Sequence, residues 1–314
     1  MQVAILTGGP SAEREISLKS AQLVMDHLDR NKHTSRLILL EDHGWFDEET
    51  GVRLHLNDFS LRLPGERFYF DFVFLMIHGT PAEDGKIQGY FEMLKIPHST
   101  CDTLSAALTF DKQKCKDFLS RFEITMADSI VVHDAGASID LTMPVFVKPN
   151  KNGSSYGVSR VEHKAELPAA IGKALQFDDE VIIEEFIAGT EYGCGVLRKG
   201  DQIIALPLTE IIPNGEFFDY EAKYLGASQE ITPARLDDDA TTACQDISKR
   251  LYQILDCRGV VRFDFIKQGD QFVLLEANTI PGMSAASIVP QQAEAYGWTI
   301  EQLLEIIIDD CVRS

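Results

Sequence analysis

Two short runs near the C-terminal end carry acid, amide and guanidinium groups at a spacing of two: VVRFDF (260–265), with Arg262 and Asp264, and FVLLEANTIPG (272–282), with Glu276 and Asn278. Residues two apart on a strand share a face. Each run therefore shows one polar pair, with an apolar face of Val261, Phe263 and Phe265 in the first and Val273, Leu275 and Ala277 in the second. KQGD between them predicts a hairpin turn, with Gly269 free to take positive φ. Folded about Asp270, the hairpin sets Asp264 opposite Glu276 and Arg262 opposite Asn278. Two facing carboxylates demand a compensating charge. Arg262 alone, a shared proton or a divalent cation would each supply it, and Asp, Glu and Asn are hard oxygen donors suited to magnesium. A solvated charged hairpin is the plain alternative.

Four other stretches carry chemistry-bearing residues. KPNKNGSSYGV (148–158) places Lys148 at a strand end before a Gly-Ser-Ser turn, whose backbone N–H groups and hydroxyls suit phosphate oxygens. It lacks the spacing of the Walker motif and runs on into a strand, so it is equally an ordinary hairpin turn. In VIIEEFIAG (181–189), Glu184 ends an apolar strand where a carboxylate could accept from an adenine amino group. TGGPSAERE (7–15) has a glycine pair at a helix start without G-x-G-x-x-G, which leaves hydride transfer poorly supported; Glu13 in that first turn could meet an ammonium group. HGTPAEDG (78–85) ends a strand with His78, followed by Glu83 and Asp84.

The elements that must position these groups follow an α/β plan. QVAILT, a helix from Ser11 to about Asp29, RLILL, an irregular polar stretch (41–67) and the apolar FDFVFLMIHG alternate as in a parallel sheet. Ligands of such sheets collect beyond the carboxyl ends of strands, where TGGPSAERE and HGTPAEDG both fall. One helical stretch from Thr103 to Leu119, strands near 144 and 181, antiparallel segments to about 210, a Gly- and aromatic-rich loop (213–228), a helix over 238–255, the hairpin and a last helix over 299–312 complete the order. The division expected is 1–97, 98–180 and 181–314.

With 29 basic and 49 acidic residues in 314, the net charge is -20, which disfavours nucleic acid and anionic membranes as partners. Any polyanion must be met by a few placed lysines and metal ions. Six scattered cysteines without C-x-x-C pairs read as free thiols of a reducing cytoplasm. Neither a signal peptide nor a membrane span is expected.

The order of the motifs is more specific than any one of them. HG-x-x-x-EDG at 78–85, DK at 111–112, VKP-x-x-x-GSS-x-G at 147–157, E-x-x-x-G-x-E at 185–191, DYEAKY at 219–224, R-x-D at 262–264 and EANT-x-PGM at 276–283 follow one another. Over essentially its whole length the chain resembles the D-alanine:D-alanine ligases of the ATP-grasp superfamily. The resemblance implies an ATP-grasp fold preceded by a parallel α/β domain. It also implies ATP-dependent ligation of two D-alanine molecules through an acyl phosphate, for peptidoglycan precursors. Asp264, Glu276 and Asn278 would hold two magnesium ions, with manganese as a substitute. Lys112, Lys148 and Ser155 would bind phosphates, and Glu184, Phe186, Ile187 and Glu191 the adenosine. By the same resemblance Glu13, Ser154 and Tyr224 would form a hydrogen-bonding group, and Arg262 with the Gly282 N–H would face the tetrahedral oxyanion. His78 would lie near the first D-alanine, Ser287 and Ile288 near the second, and Lys223 would come from a covering loop. A homodimer through the N-terminal domain and a cytoplasmic location are further implications. Ala82, HSTC (98–101), Phe218 and Ile288 depart from the family pattern, and Ile288 leaves the acceptor open. Relatives using D-serine or D-lactate share the apparatus, and Tyr224 favours an amine acceptor.

Overall fold

A computed structural model describes residues 1–11, 13–137, 139–153, 156–213 and 228–313. The first unit is a four-stranded sheet. Strand β1 (Gln2–Gly8) lies between β2 (Thr34–Glu41) and β6 (Phe72–Leu75), parallel to both, and β3 (Gly44–Asp47) closes the edge antiparallel to β2. Val3 to Leu6 are wholly buried, as a parallel strand covered on both faces requires. Helix α1 (Arg14–His27) packs against β1. The stretch expected to be irregular holds β3 and a ribbon of β4 (Ser60–Leu63) and β5 (Glu66–Tyr69), where Leu61 and Phe68 turn inward. Helix α2 (Lys86–Leu94) follows, unmarked in the sequence reading.

The expected single helix over 103–119 is two. Helix α3 (Thr103–Phe110) ends at Asp111, whose extended backbone breaks the run and whose side chain caps α4 (Lys112–Leu119) by accepting from the Lys114 N–H. The break sets Lys112 at the first position of a helix aimed at the cleft.

The second sheet has the order β7 (Ser129–Val132), β10 (Val181–Glu185), β8 (Val145–Pro149), β9 (Ser159–Val161), with α5 (Leu167–Ala174) packed on β8. A boundary at 180 would cut β10 from its two partners, so this unit extends through Glu185. The third sheet is antiparallel. Its strands run β14 (Ser228–Ile231), β13 (Thr209–Pro213), β11 (Thr190–Lys199), β15 (Val261–Gln268), β16 (Gln271–Asn278), with β12 (Gln202–Ala205) also on β11. Helix α6 (Asp238–Ile254) covers one face through Leu251 and Tyr252. Helix α7 (Ile288–Tyr296) is tied to β11 by the fully buried Gln292, which donates to the Gly193 carbonyl and accepts from the Gly195 N–H. The last helix, α8 (Ile300–Val312), sends Leu303, Leu304 and Ile307 into the core of the first unit. No helix among the described residues is long and apolar enough to cross a membrane. All six cysteines are buried and free.

Candidate active site

The hairpin keeps the expected pairing where it matters and reaches it differently. Its turn is Gly269-Asp270, with Gly269 at φ 58°, and next to it Gln268 faces Gln271 and Phe265 faces Leu274. Leu275 is an extra residue, a β-bulge, after which Asp264 faces Glu276 and Arg262 faces Asn278. The bulge corrects the expected faces. Leu274, not Val273 or Leu275, joins Phe263 and Phe265 in the core, while Leu275 and Glu276 both line the cleft.

Asp264 is almost fully buried and is gripped in a bidentate ion pair by Arg262, Nε to Oδ1 and Nη2 to Oδ2, each at 2.8 Å. Asn278 Nδ2 donates to Asp264 Oδ2 at 2.9 Å. A side chain on Gly193, across from Asp264 on β11, would press on Asp264 Oδ1 at 3.2 Å and Arg262 Cδ at 3.4 Å, so a strand glycine makes room for the pair. The donor set, two carboxylates and a carboxamide oxygen in register, fits a hard dication that also takes phosphate oxygens. Among the described residues no three His, Cys, Asp or Glu side chains cluster as a metal cage. A cation here would complete its shell from a ligand.

Between the second and third sheets lies a cavity of about 410 Å³. Lys112, Lys148, Glu184, Phe186, Ile187, Glu191 and Glu276 all line it, so the structure brings together these expected nucleotide and metal residues from four separate segments. Phe186 forms part of the apolar wall, with Phe146 at 5.9 Å and the Arg160 guanidinium 4.5 Å from its ring centre.

Glu184 differs from its expected part. Both of its oxygens are engaged, one by Lys116 at 2.6 Å and the other by Lys148. Burial opposes its charge, but Lys148 and Lys116 outweigh burial and hold its pKa at about 2. The same pair raises the pKa of Lys148, since Glu184 overcomes the burial that would lower it. Lys112 is shifted the other way, downward, because burial prevails over the attraction of Glu276. Its ammonium donates to the Asn152 carbonyl at 2.6 Å and so grips the glycine-rich loop. The loop base is fixed by Asn150, wholly buried, whose amide donates to Asp111 Oδ1 at 2.8 Å and accepts from the Gln113 N–H at 2.9 Å.

At the far end, Ser11 Oγ donates to the His78 carbonyl at 2.7 Å, and the His78 N–H donates to Ser17 Oγ at 3.0 Å. The His78 ring meets Ser20 Oγ at 3.4 Å and the Ile280 backbone, and burial lowers its pKa. Ser20 also accepts from the Met283 N–H at 3.1 Å, so the first sheet is stitched to the hairpin's exit. Glu13 is buried and reaches toward the Gly153 turn: a side chain on Gly153 would lie 2.9 Å from its Oε2. Gly282 packs on Ser287, which stands at the N-cap position of α7 with its hydroxyl bonded back to Ser284, ahead of the buried Ile288. Ser154, Ser155, Phe218, Lys223 and Tyr224 lie outside the described residues.

Several participants escaped the sequence reading. Glu83 was noted there without a role. Its Oε2 accepts from the Gly79 N–H at 2.9 Å, and it lines a recess with Lys112, Glu276 and Asn278. Burial, then the carboxylates of Glu13 and Glu276, push its pKa up to about 8, which keeps it protonated at neutral pH. Asp84, its neighbour, turns away to Lys86 at 2.5 Å. Lys116 carried a signal that was open to view: it stands one helical turn after Lys112, on the same face. Asn150 and the bulged Leu275 carried none, because their positions follow from tertiary pairing.

Known proteins agree with this geometry. Family models described as the D-ala D-ala ligase N-terminus and C-terminus match residues 2–101 and 119–309. The D-alanine--D-alanine ligase of Porphyromonas gingivalis is 43% identical over 98% of this chain and 97% of its own. Among solved structures, the VanG D-Ala:D-Ser ligase of Enterococcus faecalis superposes with a TM-score of 0.86 at 33% identity, covering 98% of each chain. The D-alanine--D-alanine ligase of Bacillus anthracis complexed with ATP gives 0.80 at 27% identity, over 100% of this chain and 98% of its own. A cavity between two sheets, a carboxylate hairpin along one wall and the buried Glu13 of the first unit against its Gly153 turn thus occur together in a chain that belongs to the D-alanine–D-alanine ligase family.

Proposed function

We propose that the cleft joins two D-alanine molecules into D-alanyl-D-alanine with ATP, supplying peptidoglycan precursor synthesis in the cytoplasm. The observation that carries the reading is that the lysine-lined cavity shares Lys112, Asn152, Gly153 and Glu276 with a recess lined by Glu83 and Asn278, and that the buried Glu13 lies against the same Gly153. The adenine lies against Phe186 and Ile187, the ribose near Glu191, and the phosphates run toward Lys112 and Lys148, with Ser154 and Ser155 as further donors. Asp264, Glu276 and Asn278 would hold two magnesium ions, which would supply positive charge against the phosphates.

Glu13 receives the ammonium group of the first D-alanine, with His78 beside it, and sets its carboxylate to take the γ-phosphoryl group. The second D-alanine is held by its carboxylate at Ser287 and the N-terminus of α7 at Ile288. Its amine, deprotonated through the Glu13–Ser154–Tyr224 group, attacks the acyl phosphate. Arg262 and the Gly282 N–H stabilise the tetrahedral oxyanion, each such donor contributing ~3 kcal/mol, and phosphate leaves. Lys223 and Tyr224 belong to the segment that keeps water from the acyl phosphate. The active form is a homodimer through the first unit.

Phosphate release measured with D-alanine alone, and with D-alanine paired with D-serine or D-lactate, tests the assignment. D-alanine alone gives the highest kcat/KM. Faster turnover with D-serine, the acceptor named for the Enterococcus faecalis structure, would move the chain to that acceptor class.

A further inference from the structure

Glu184 has one more lysine than its charge requires. Lys148 lies at the cavity wall, while Lys116 reaches Glu184 from helix α4 and is not among the residues that line the cavity. The two lysines take opposite oxygens of one carboxylate, and all three side chains are largely shielded from water. A single ammonium contact is enough to compensate a buried carboxylate. Withdrawing it from a pair leaves an isolated buried charge, which is strongly unfavourable.

Nucleotide binding asks for such a withdrawal. If the nucleotide occupies this cavity, Lys148 must leave or share Glu184 to reach it, and its flexible four-carbon stem permits that movement. We infer that Lys116 is a positioning residue for ATP: it remains on Glu184 while Lys148 turns to the nucleotide, and so sets the nucleotide affinity without touching it. Helix geometry supports this, because Lys112 and Lys116 lie one turn apart on α4. The cap at Asp111 that aims Lys112 into the cavity therefore also fixes the reach of Lys116.

The inference rests on the placement of ATP in this cavity, and the test separates the two. Binding of adenylyl imidodiphosphate with magnesium to the full chain is measured by calorimetry, alongside KM for ATP and for D-alanine. Lys116→Met is expected to weaken the analogue roughly tenfold or more and to raise KM for ATP in step, with both D-alanine KM values within about twofold of the parent. Lys116→Arg, which keeps the charge, should recover most of the affinity. In a Glu184→Gln background the same Lys116→Met change should have no further effect on nucleotide binding, because the carboxylate it serves is gone. Loss of binding in Lys148→Met with unaltered binding in Lys116→Met overturns the inference while leaving the cavity as the nucleotide site. Unaltered binding in Lys148→Met overturns the placement itself, and the inference with it. A merely structural role for Lys116 would lower stability and act on ATP and D-alanine alike, and that result also overturns it.

Discussion

The two walls of the cleft handle buried carboxylates in opposite ways. On the second sheet, Glu184 is compensated within the protein by two lysines. On the third, Asp264 and Glu276 face one another, with Arg262 spent on Asp264 and Glu276 acting across the cleft on Lys112 and Lys148. The first wall is complete without a ligand. The second sets two carboxylates in register beside one guanidinium, so it is the wall suited to a dication and, through that ion, to phosphates. Damage to the second should therefore appear as lost chemistry, and damage to the first as lost stability and nucleotide affinity.

The hardest test of that contrast is Asp264→Ala. It removes a donor of the proposed metal set and releases Arg262, and ligation should fall by on the order of 10³-fold or more in a phosphate-release assay. Near-parental turnover would erase the distinction between the walls.

Glu184→Gln addresses the other wall. A carboxylate whose pKa is depressed on folding, here from 4.5 to about 2, adds stability that is fully present above 4.5 and fades as the pH falls through about 2. The variant should unfold about 3 kcal/mol more easily at pH 7 by urea denaturation, and its deficit should shrink as the pH is taken below 4. A deficit independent of pH would mean that packing, not charge, explains the residue.

Asn150→Ala acts on the link between the walls. It removes hydrogen bonds to Asp111 and Gln113 and so loosens the start of α4, at a cost of about 1–3 kcal/mol. Because Lys112 begins that helix, KM for ATP should rise several-fold while KM for D-alanine holds, as steady-state kinetics would show.

How far the contrast could be foreseen follows the range of the forces involved. The apolar alternation of β15, the glycine turn at 269 and the spacing of Asp264, Glu276 and Asn278 are local, and the hairpin was legible from them. The bulge at Leu275 was not. Nothing in FVLLEAN marks where the pairing slips by one residue, and the expected pairing held at the site only because the bulge offset a turn placed half a residue away. The pairing of β10, which begins just past the expected boundary at 180, was not legible for a related reason: its partners β7 and β8 are strands distant in sequence. Glu184 was legible as an acid at the end of an apolar strand, but not its burial, and its two lysines lie 36 and 68 positions upstream on other elements. Helix α2 opens on the left-handed Gly85 without a side-chain cap, so it lacked the local start signal that Thr299 gives α8.

The smallest expected change comes from Glu83→Gln, and it refines the second wall. Glu83 belongs to neither pattern: with its pKa pushed up to about 8, first by burial and then by Glu13 and Glu276, it stays neutral where its neighbours are charged. A glutamine imitates that neutral acid in size and keeps an oxygen for the Gly79 N–H, so at pH 7 ligation should change by less than about threefold. The two proteins should part as the pH rises from about 5 to about 8. A carboxyl whose pKa is raised on folding lends stability that is fully present below its unfolded value near 4.5 and is lost as the pH rises through about 8. In chelator, without nucleotide, the parent should lose stability between about pH 5 and 8 with a slope of up to roughly 1.4 kcal/mol per pH unit, levelling off above that, and the glutamine variant should show a flatter profile. Matching slopes would mean that Glu83 is already ionised, and that the hairpin wall holds three acids where two are counted here.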